Sequence, residues 1–326
     1  MINRRPTIFR YIMIAVTIFT PTYNRASLLP RVFESIMQQN VHDIEWIIVD
    51  DGSTDNTEMV VKDFLTPELA TFPIRYYRKT NGGKHTAINY GVNKAQGELF
   101  FIVDSDDILP DGAIRTVKNV WEEVKHQPEF GGICGLDGNM KTGAIIGSGI
   151  PNDSQSSTMS LADGSHIRYI DGSNMAVRFG RGVTGDMKEV YRTSVLKEFP
   201  FPEIPNERFC PEVLVWNRIG TKYKLRYFHH VIYLAEYQAD GITAGITKAR
   251  RNSPIATMMT YQEMTEYDIP FKWKVRSAIN YWRFGFCAFR RLKFKIGGPA
   301  IRAKWFMFIP VGLIYYFIDT YRLRGK

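Results

Sequence analysis

Leu99-Phe100-Phe101-Ile102-Val103-Asp104-Ser105-Asp106-Asp107 runs five apolar residues straight into a turn carrying three carboxylates. A short apolar run without polar alternation is what a strand buried on both faces looks like, and strands of parallel sheets are buried in that way. The surrounding sequence repeats the arrangement. Just upstream, Ile74–Arg78 reads as a strand and Lys84–Lys94, opened by Gly82-Gly83, as a helix; just downstream, Ala113–Lys125 is helical. Further back, Ile12–Thr20 is a near-continuous apolar run, and Leu28, Leu29, Val32, Phe33, Ile36 and Met37 fall at helical spacing within Ala26–Gln39. Trp46–Val49 is another strand, ending in Asp50-Asp51-Gly52-Ser53, after which Thr54 or Asp55 can cap a helix reaching about Leu65. Strands alternating with helices predict right-handed crossovers and a mostly parallel central sheet, so the fold class is α/β.

The chain has 326 residues, 44% hydrophobic and 23% charged, which excludes disordered and collagen-like classes and leaves ample material for a core. Cys134, Cys210 and Cys287 form no CxxC pair. That argues against a disulfide scaffold or structural zinc and fits a reducing cytoplasm. The net charge of +9 is concentrated late: Phe271 to Lys326 holds 13 Lys or Arg against the single acid Asp319. No stretch reaches the ~20 apolar residues of a membrane span. Arg4 and Arg5 before an apolar run faintly resemble a signal peptide, but Arg10 interrupts it, so the mature chain is expected to begin near residue 1.

In open α/β sheets ligands bind beyond the carboxyl ends of the strands. Here the polar clusters Thr20–Arg25, Asp50–Asp51, Thr80–Lys84 and Asp104–Asp107 all fall at such ends and describe one composite site. A dinucleotide-binding reading requires GxGxxG after the first strand; the chain has Thr20-Pro21-Thr22-Tyr23-Asn24-Arg25, and no Walker loop occurs either. Three carboxylates within four residues repel one another unless a cation lies between them, and hard oxygen donors suit Mg²⁺ or Mn²⁺. Taken alone, Asp-Ser-Asp-Asp reads better as a solvated loop with a helix cap.

Four motifs in order change that weighting. Thr17–Arg25, Val49–Asp55, Asn81-Gly82-Gly83-Lys84 with Ala87, Asn89 and Gly91, and Val103–Asp107 together resemble the nucleotide-sugar half of family-2 glycosyltransferases of GT-A fold, closely over residues 14–115. The resemblance implies that Pro21, Tyr23, Arg25 and Asp51 meet the base and ribose of a nucleotide, probed as UDP, with Asp50 supporting them. It implies that Asp104 and Asp106 form the DxD motif, with Ser105 between them, reaching the ribose and a diphosphate-bound Mn²⁺ or Mg²⁺, and that Asp107 replaces or assists Asp106. Lys84 would neutralise the leaving group, and Asn89 belongs to the same donor motif.

Beyond residue 130 the resemblance weakens. Asp186–Arg192 reads as a strand entering the helix Ser194–Glu198. Many relatives open a later helix with Glu-Asp and use it as the base for the acceptor hydroxyl; here Pro211-Glu212 stands there, so Glu212 is the candidate base, and a plain helix start is the alternative. Trp216, one turn on, is either a wall for a sugar or core. Tyr233–Thr243 is expected to end the catalytic domain as a flap, and Cys210 to serve packing. Three segments follow: a nucleotide-sugar half over 1–115, an acceptor half over 116–250 and a basic tail over 251–326. In the tail, Ile279, Trp282, Phe286 and Phe289 mark an apolar helical face flanked by Arg276, Arg283 and Arg290, and Trp305–Ile318 is a second apolar piece. That composition suits an anionic membrane surface met by 271–326; a helix packed on the domain is the alternative. No nucleic-acid motif accompanies the charge.

The family implies a metal-dependent inverting transfer from a nucleotide-sugar to a hydroxyl of a glycan or lipid-linked acceptor in surface-polysaccharide synthesis, at the cytoplasmic face of the plasma membrane. Transfer to a polyprenyl phosphate, which needs no base, and a non-catalytic nucleotide-binding partner remain as alternatives.

Overall fold

The protein is described by a computed structural model covering residues 13–66, 71–161, 163–236, 245–291 and 298–324. The first four strands are β1 (Val16–Thr22), β2 (Ile44–Asp50), β3 (Ile74–Arg78) and β4 (Leu99–Ile102), and they run parallel in the order β3-β2-β1-β4. Helices α1 (Leu29–Met37), α2 (Thr57–Phe64), α3 (Lys84–Lys94) and α4 (Ala113–Glu122) make the crossovers. The continuous apolar strands are explained by what covers them. Val16, Ile18, Trp46, Ile48, Leu99 and Phe101 meet α1, α2 and α4 on one face. Phe19, Ile47, Val49, Phe100 and Ile102 meet α3 on the other. Each such side chain, fully buried, contributes roughly 1.5–3 kcal/mol of transfer free energy. Gly91 of α3 lies so close to the Phe19 ring that a Cβ there would sit 2.1 Å from Cε2, which is why that helix face carries no side chain.

The later strands are β5 (Phe130–Asn139), β6 (Ser157–Ser160), β7 (His166–Gly172), β8 (Met187–Arg192) and β9 (Lys224–Ala235). β8 joins β4 antiparallel, so the described residues form one sheet of nine strands ordered β3-β2-β1-β4-β8-β5-β9-β7-β6. Helices α5 (Thr193–Glu198) and α6 (Glu212–Ile219) cover the same face as α3. Parallel register brings the polar strand ends level: Thr22 pairs with Asp50, Asp50 with Arg78, and Phe19 with Ile102.

After α7 (Ile246–Asn252), α8 (Pro254–Glu266) is fastened to the catalytic part. Glu207 accepts hydrogen bonds from the first free N–H groups of α8, at Ile255 (2.8 Å) and Ala256 (2.9 Å), and Arg218 of α6 grips Glu263 of α8 with Nε and Nη2. Helix α9 (Phe271–Arg291) stacks Phe284 on Tyr261 of α8, and α10 (Ile309–Arg324) crosses α9 where Gly312 meets Trp282. The single acid of the basic segment, Asp319, is buried and clamped by Arg283, whose Nε and Nη2 each donate to it at 2.7 Å. This corrects the expected helical face. In α9 it is Ser277, Ala278, Tyr281, Phe284 and Ala288 that are buried, while Phe289 is 40% exposed. Burial follows the two helices that sandwich α9, which its own apolar periodicity does not reveal. Ile12, Arg4, Arg5, Arg10 and residues 237–243 of the expected flap lie outside the described residues.

Candidate active site

Three motifs that are far apart in sequence converge on one ammonium group. Lys84 opens α3, Glu212 opens α6, and Asp104 follows β4; Lys84 Nζ lies 2.7 Å from Asp104 Oδ1 and 2.8 Å from Glu212 Oε1. Backbone geometry sets this up. Gly83 has φ +94°, a left-handed conformation, and a Cβ on it would stand 1.9 Å from the carbonyl oxygen of Arg208, in the loop leading to Glu212. The two helix starts therefore touch through a residue that must be glycine. Burial alone would lower the Lys84 pKa, but the two carboxylates outweigh it and the shift is upward. Burial would raise Asp104; Lys84 and Lys188, the latter 3.7 Å away, instead hold it at about 2.

The rest of the acidic turn divides its work. Asp106 is raised by burial and then by the charge of Asp104, the like-charge situation that a cation relieves. Asp107 is turned to β9: its oxygens accept from the Tyr233 hydroxyl (2.7 Å) and the Glu236 N–H (2.9 Å), and burial pushes it to about 6. It fixes the turn to β9 instead of standing beside Asp106. Ser105 is buried between them. Among the described residues no three His, Cys, Asp or Glu gather as a metal cage. Asp104 and Asp106 alone match the one or two carboxylates by which Mg²⁺ or Mn²⁺ is held when water and substrate phosphates complete its shell.

On the nucleotide side, Pro21 ends β1 buried and Tyr23 beyond it is 46% exposed. Asp50 is buried, accepting from the Ser53 N–H and the Tyr76 hydroxyl. Asp51 accepts from the N–H groups of Gly82 (2.9 Å) and Gly83 (2.6 Å) and from Lys79 (2.7 Å), so it shapes the turn that presents Lys84. The charge of Arg25 lies near Asp106. The Asn89 amide is engaged by the 199–203 segment, with Nδ2 donating to Phe201 O and Glu203 and Oδ1 accepting from the Phe201 N–H. Trp216 is core, 4.7 Å from the Tyr191 ring and edge-on to Phe201. The Cys210 thiol is buried and pushed up to about 12, as packing requires. Lys79, Lys188 and Arg31, whose guanidinium reaches Asp106 O and Glu236, were not singled out from sequence. Lys188 carried no signal, because half of β8 is charged: Lys188, Glu189 and Arg192.

A sheet whose first four strands run parallel, with an acidic turn after the fourth, is a fold of GT-A type. Residues 17–143 match the sequence model of Glycosyl transferase family 2. It is 25% identical, over 92% of its own length and 95% of the other, to the GalNAc(5)-diNAcBac-PP-undecaprenol beta-1,3-glucosyltransferase of Campylobacter jejuni. Glycosyltransferase GlyG of Streptococcus pneumoniae is 35% identical over 31% of this chain and 33% of that protein. Two solved structures share the fold. The mannosyltransferase PcManGT from Pyrobaculum calidifontis, in complex with GDP-Man and Mn²⁺, superposes with a TM-score of 0.54 at 14% identity, covering 93% and 87% of the two chains. S. aureus TarS 1-349 in complex with UDP-GlcNAc gives 0.52 at 16%, covering 92% and 91%.

Proposed function

We propose that the protein moves a sugar from a nucleoside diphosphate donor, UDP-linked, to a hydroxyl of a lipid-linked glycan, with inversion at the anomeric carbon. The observation that carries this reading is Lys84, within 2.8 Å of both the DxD carboxylate Asp104 and Glu212. Glu212 takes the proton of the acceptor hydroxyl as its oxygen attacks the anomeric carbon. The bond to the diphosphate breaks on the opposite face, and Lys84 meets the charge that leaves. Asp104 and Asp106 would hold a divalent ion, which when bound supplies further charge neutralisation at the diphosphate. Pro21, Tyr23, Arg25 and the Asp50–Asp51 turn receive the nucleotide. Asp51 retains acceptor capacity for a ribose or base, since each carboxylate oxygen offers two lone pairs.

The lipid-linked acceptor is supported by the name of the Campylobacter relative and by the outer face of α10. Ile314 (58% exposed), Phe317 (60%) and Tyr321 (84%) project there, with Met307 beside them and Arg302, Lys304 and Arg322 nearby. No helix among the described residues is long and apolar enough to cross a membrane. An exposed apolar face bordered by cations suits attachment in the interfacial plane of an anionic bilayer, at its cytoplasmic side. The test is a screen of nucleotide-sugars for binding and metal-dependent release of UDP by the full chain. A folded protein that binds none of them would sink the reading.

A further inference from the structure

The cavity that stands out away from the nucleotide site has a volume of about 670 Å³, within the ~300–1,000 Å³ range of ligand pockets. Asn206, Arg208 and Phe209 form one wall, Arg251 and Ser253 the α7–α8 junction, and Tyr316 of α10 the outer rim. No carboxylate lines it. Glu207, in the same loop, is turned onto the N–H groups of α8, and the buried Asp319 is clamped by Arg283 with Arg251 Nη1 3.7 Å away. Arg251 is held in place: it donates to Tyr316 O (3.2 Å) and Thr320 Oγ1 (2.8 Å), and its guanidinium lies 4.9 Å from the Tyr316 ring centre. Arg208, an exposed residue, lines the cavity, and its own carbonyl is pressed against Gly83, next to Lys84 and four residues before Glu212.

The guanidinium of Arg208, that of Arg251 shared with Asp319 behind it, asparagine and serine side chains and two aromatic residues, with no carboxylate on the wall itself, form a receptor for a phosphate-bearing group. We propose that this cavity seats the phosphate or diphosphate of the acceptor, which extends the lipid-linked reading given above and rests on it. Placement supports the assignment. On one side the Arg208 loop leads to the catalytic Lys84–Glu212 pair; on the other Tyr316 belongs to the helix whose outer face is apolar. A lipid could lie along α10, its phosphates in the cavity and its terminal sugar at Glu212.

The test uses the full chain in excess EDTA, with inorganic pyrophosphate and geranyl diphosphate as probes and calorimetry as the readout. Both should bind wild type and Lys84→Met alike. Arg208→Ala should weaken both by about tenfold or more, the effect of removing one charge-assisted hydrogen-bonding group, and Arg208→Lys should restore part of it. Geranyl diphosphate binding tighter than pyrophosphate assigns a lipid-linked source; the reverse order assigns a free anion and overturns the acceptor assignment. Binding unaffected by Arg208→Ala, or abolished by Lys84→Met, would place the anion at the donor site and refute the proposal. If wild type instead fails to bind UDP with Mn²⁺, the donor reading falls while the cavity result stands.

Discussion

Replacing Lys84 by methionine keeps the length of the side chain and removes the one charge that separates Asp104 from Glu212. With Nζ 2.7 Å from one carboxylate and 2.8 Å from the other, the two oxygens lie no more than about 5.5 Å apart. At an effective dielectric of ~20, two unit negative charges at about that spacing repel by about 3 kcal/mol. Lys188, 3.7 Å from Asp104, tempers this, so the variant should lose about 1–3 kcal/mol of stability at neutral pH. The pH dependence has a definite sign. Asp104 is held at about 2 in the folded protein, below the ~3.9 of an unfolded aspartate. Its stabilisation is therefore complete above about pH 4 and disappears as the pH falls through about 2. Urea unfolding of both proteins at pH 7 and pH 3 measures this. The wild-type advantage should shrink at the lower pH, where the carboxylates of the variant take up protons. An equal loss at both values would mean that Lys84 acts by packing, and no loss at either would remove it from the carboxylate cluster.

Asp137 is buried, its Oδ1 has no protein partner, and burial pushes it to about 8. A carboxylate raised above its unfolded value costs stability as pH climbs from about 4 to about 8, so Asp137→Asn should match wild type near pH 4 and be more stable by up to a few kcal/mol near pH 8. A melting-temperature difference that does not change with pH would refute this. Gly83→Ala forces a Cβ against Arg208 O at a left-handed φ; it should cost roughly 2 kcal/mol or more and slow sugar transfer by separating Lys84 from Glu212, and wild-type kinetics in that variant would contradict the site geometry. Ile314→Ser with Phe317→Ser alters only exposed positions of α10, so unfolding should shift by no more than about 0.5 kcal/mol per site while co-sedimentation with anionic vesicles falls. Unchanged partitioning would end the membrane reading of that face.

The nucleotide half was legible because its signals are local. Buried parallel strands need unbroken apolar runs, and the turns that end them need Asp, Gly and Asn, so Ile74–Arg78 and Lys84–Lys94 stand in the structure where the pattern puts them. Glu212 was legible from its place at a helix opening, but its meeting with Lys84 depends on α6 being laid against α3, a long-range contact that no spacing encodes. The partners of Asp107 and Asn89 were not legible for a related reason. Each sits in a motif, and each is turned by a remote segment, β9 for the first and 199–203 for the second. The tail was hardest: which face of α9 is buried depends on α8 and α10 packing against two sides of it.

The central claim is that Glu212 removes the proton of an acceptor hydroxyl beside a donor held by the Asp104 turn. Glu212→Gln keeps the size of the side chain and takes away its capacity to accept that proton, together with the negative charge paired to Lys84. Rates of acceptor-dependent UDP release, measured beside UDP affinity on the same preparations, test it directly. The account predicts a fall of ~10²–10⁴-fold in rate with UDP binding retained. Near-wild-type turnover would contradict it and favour an acceptor that is already ionised, such as a polyprenyl phosphate.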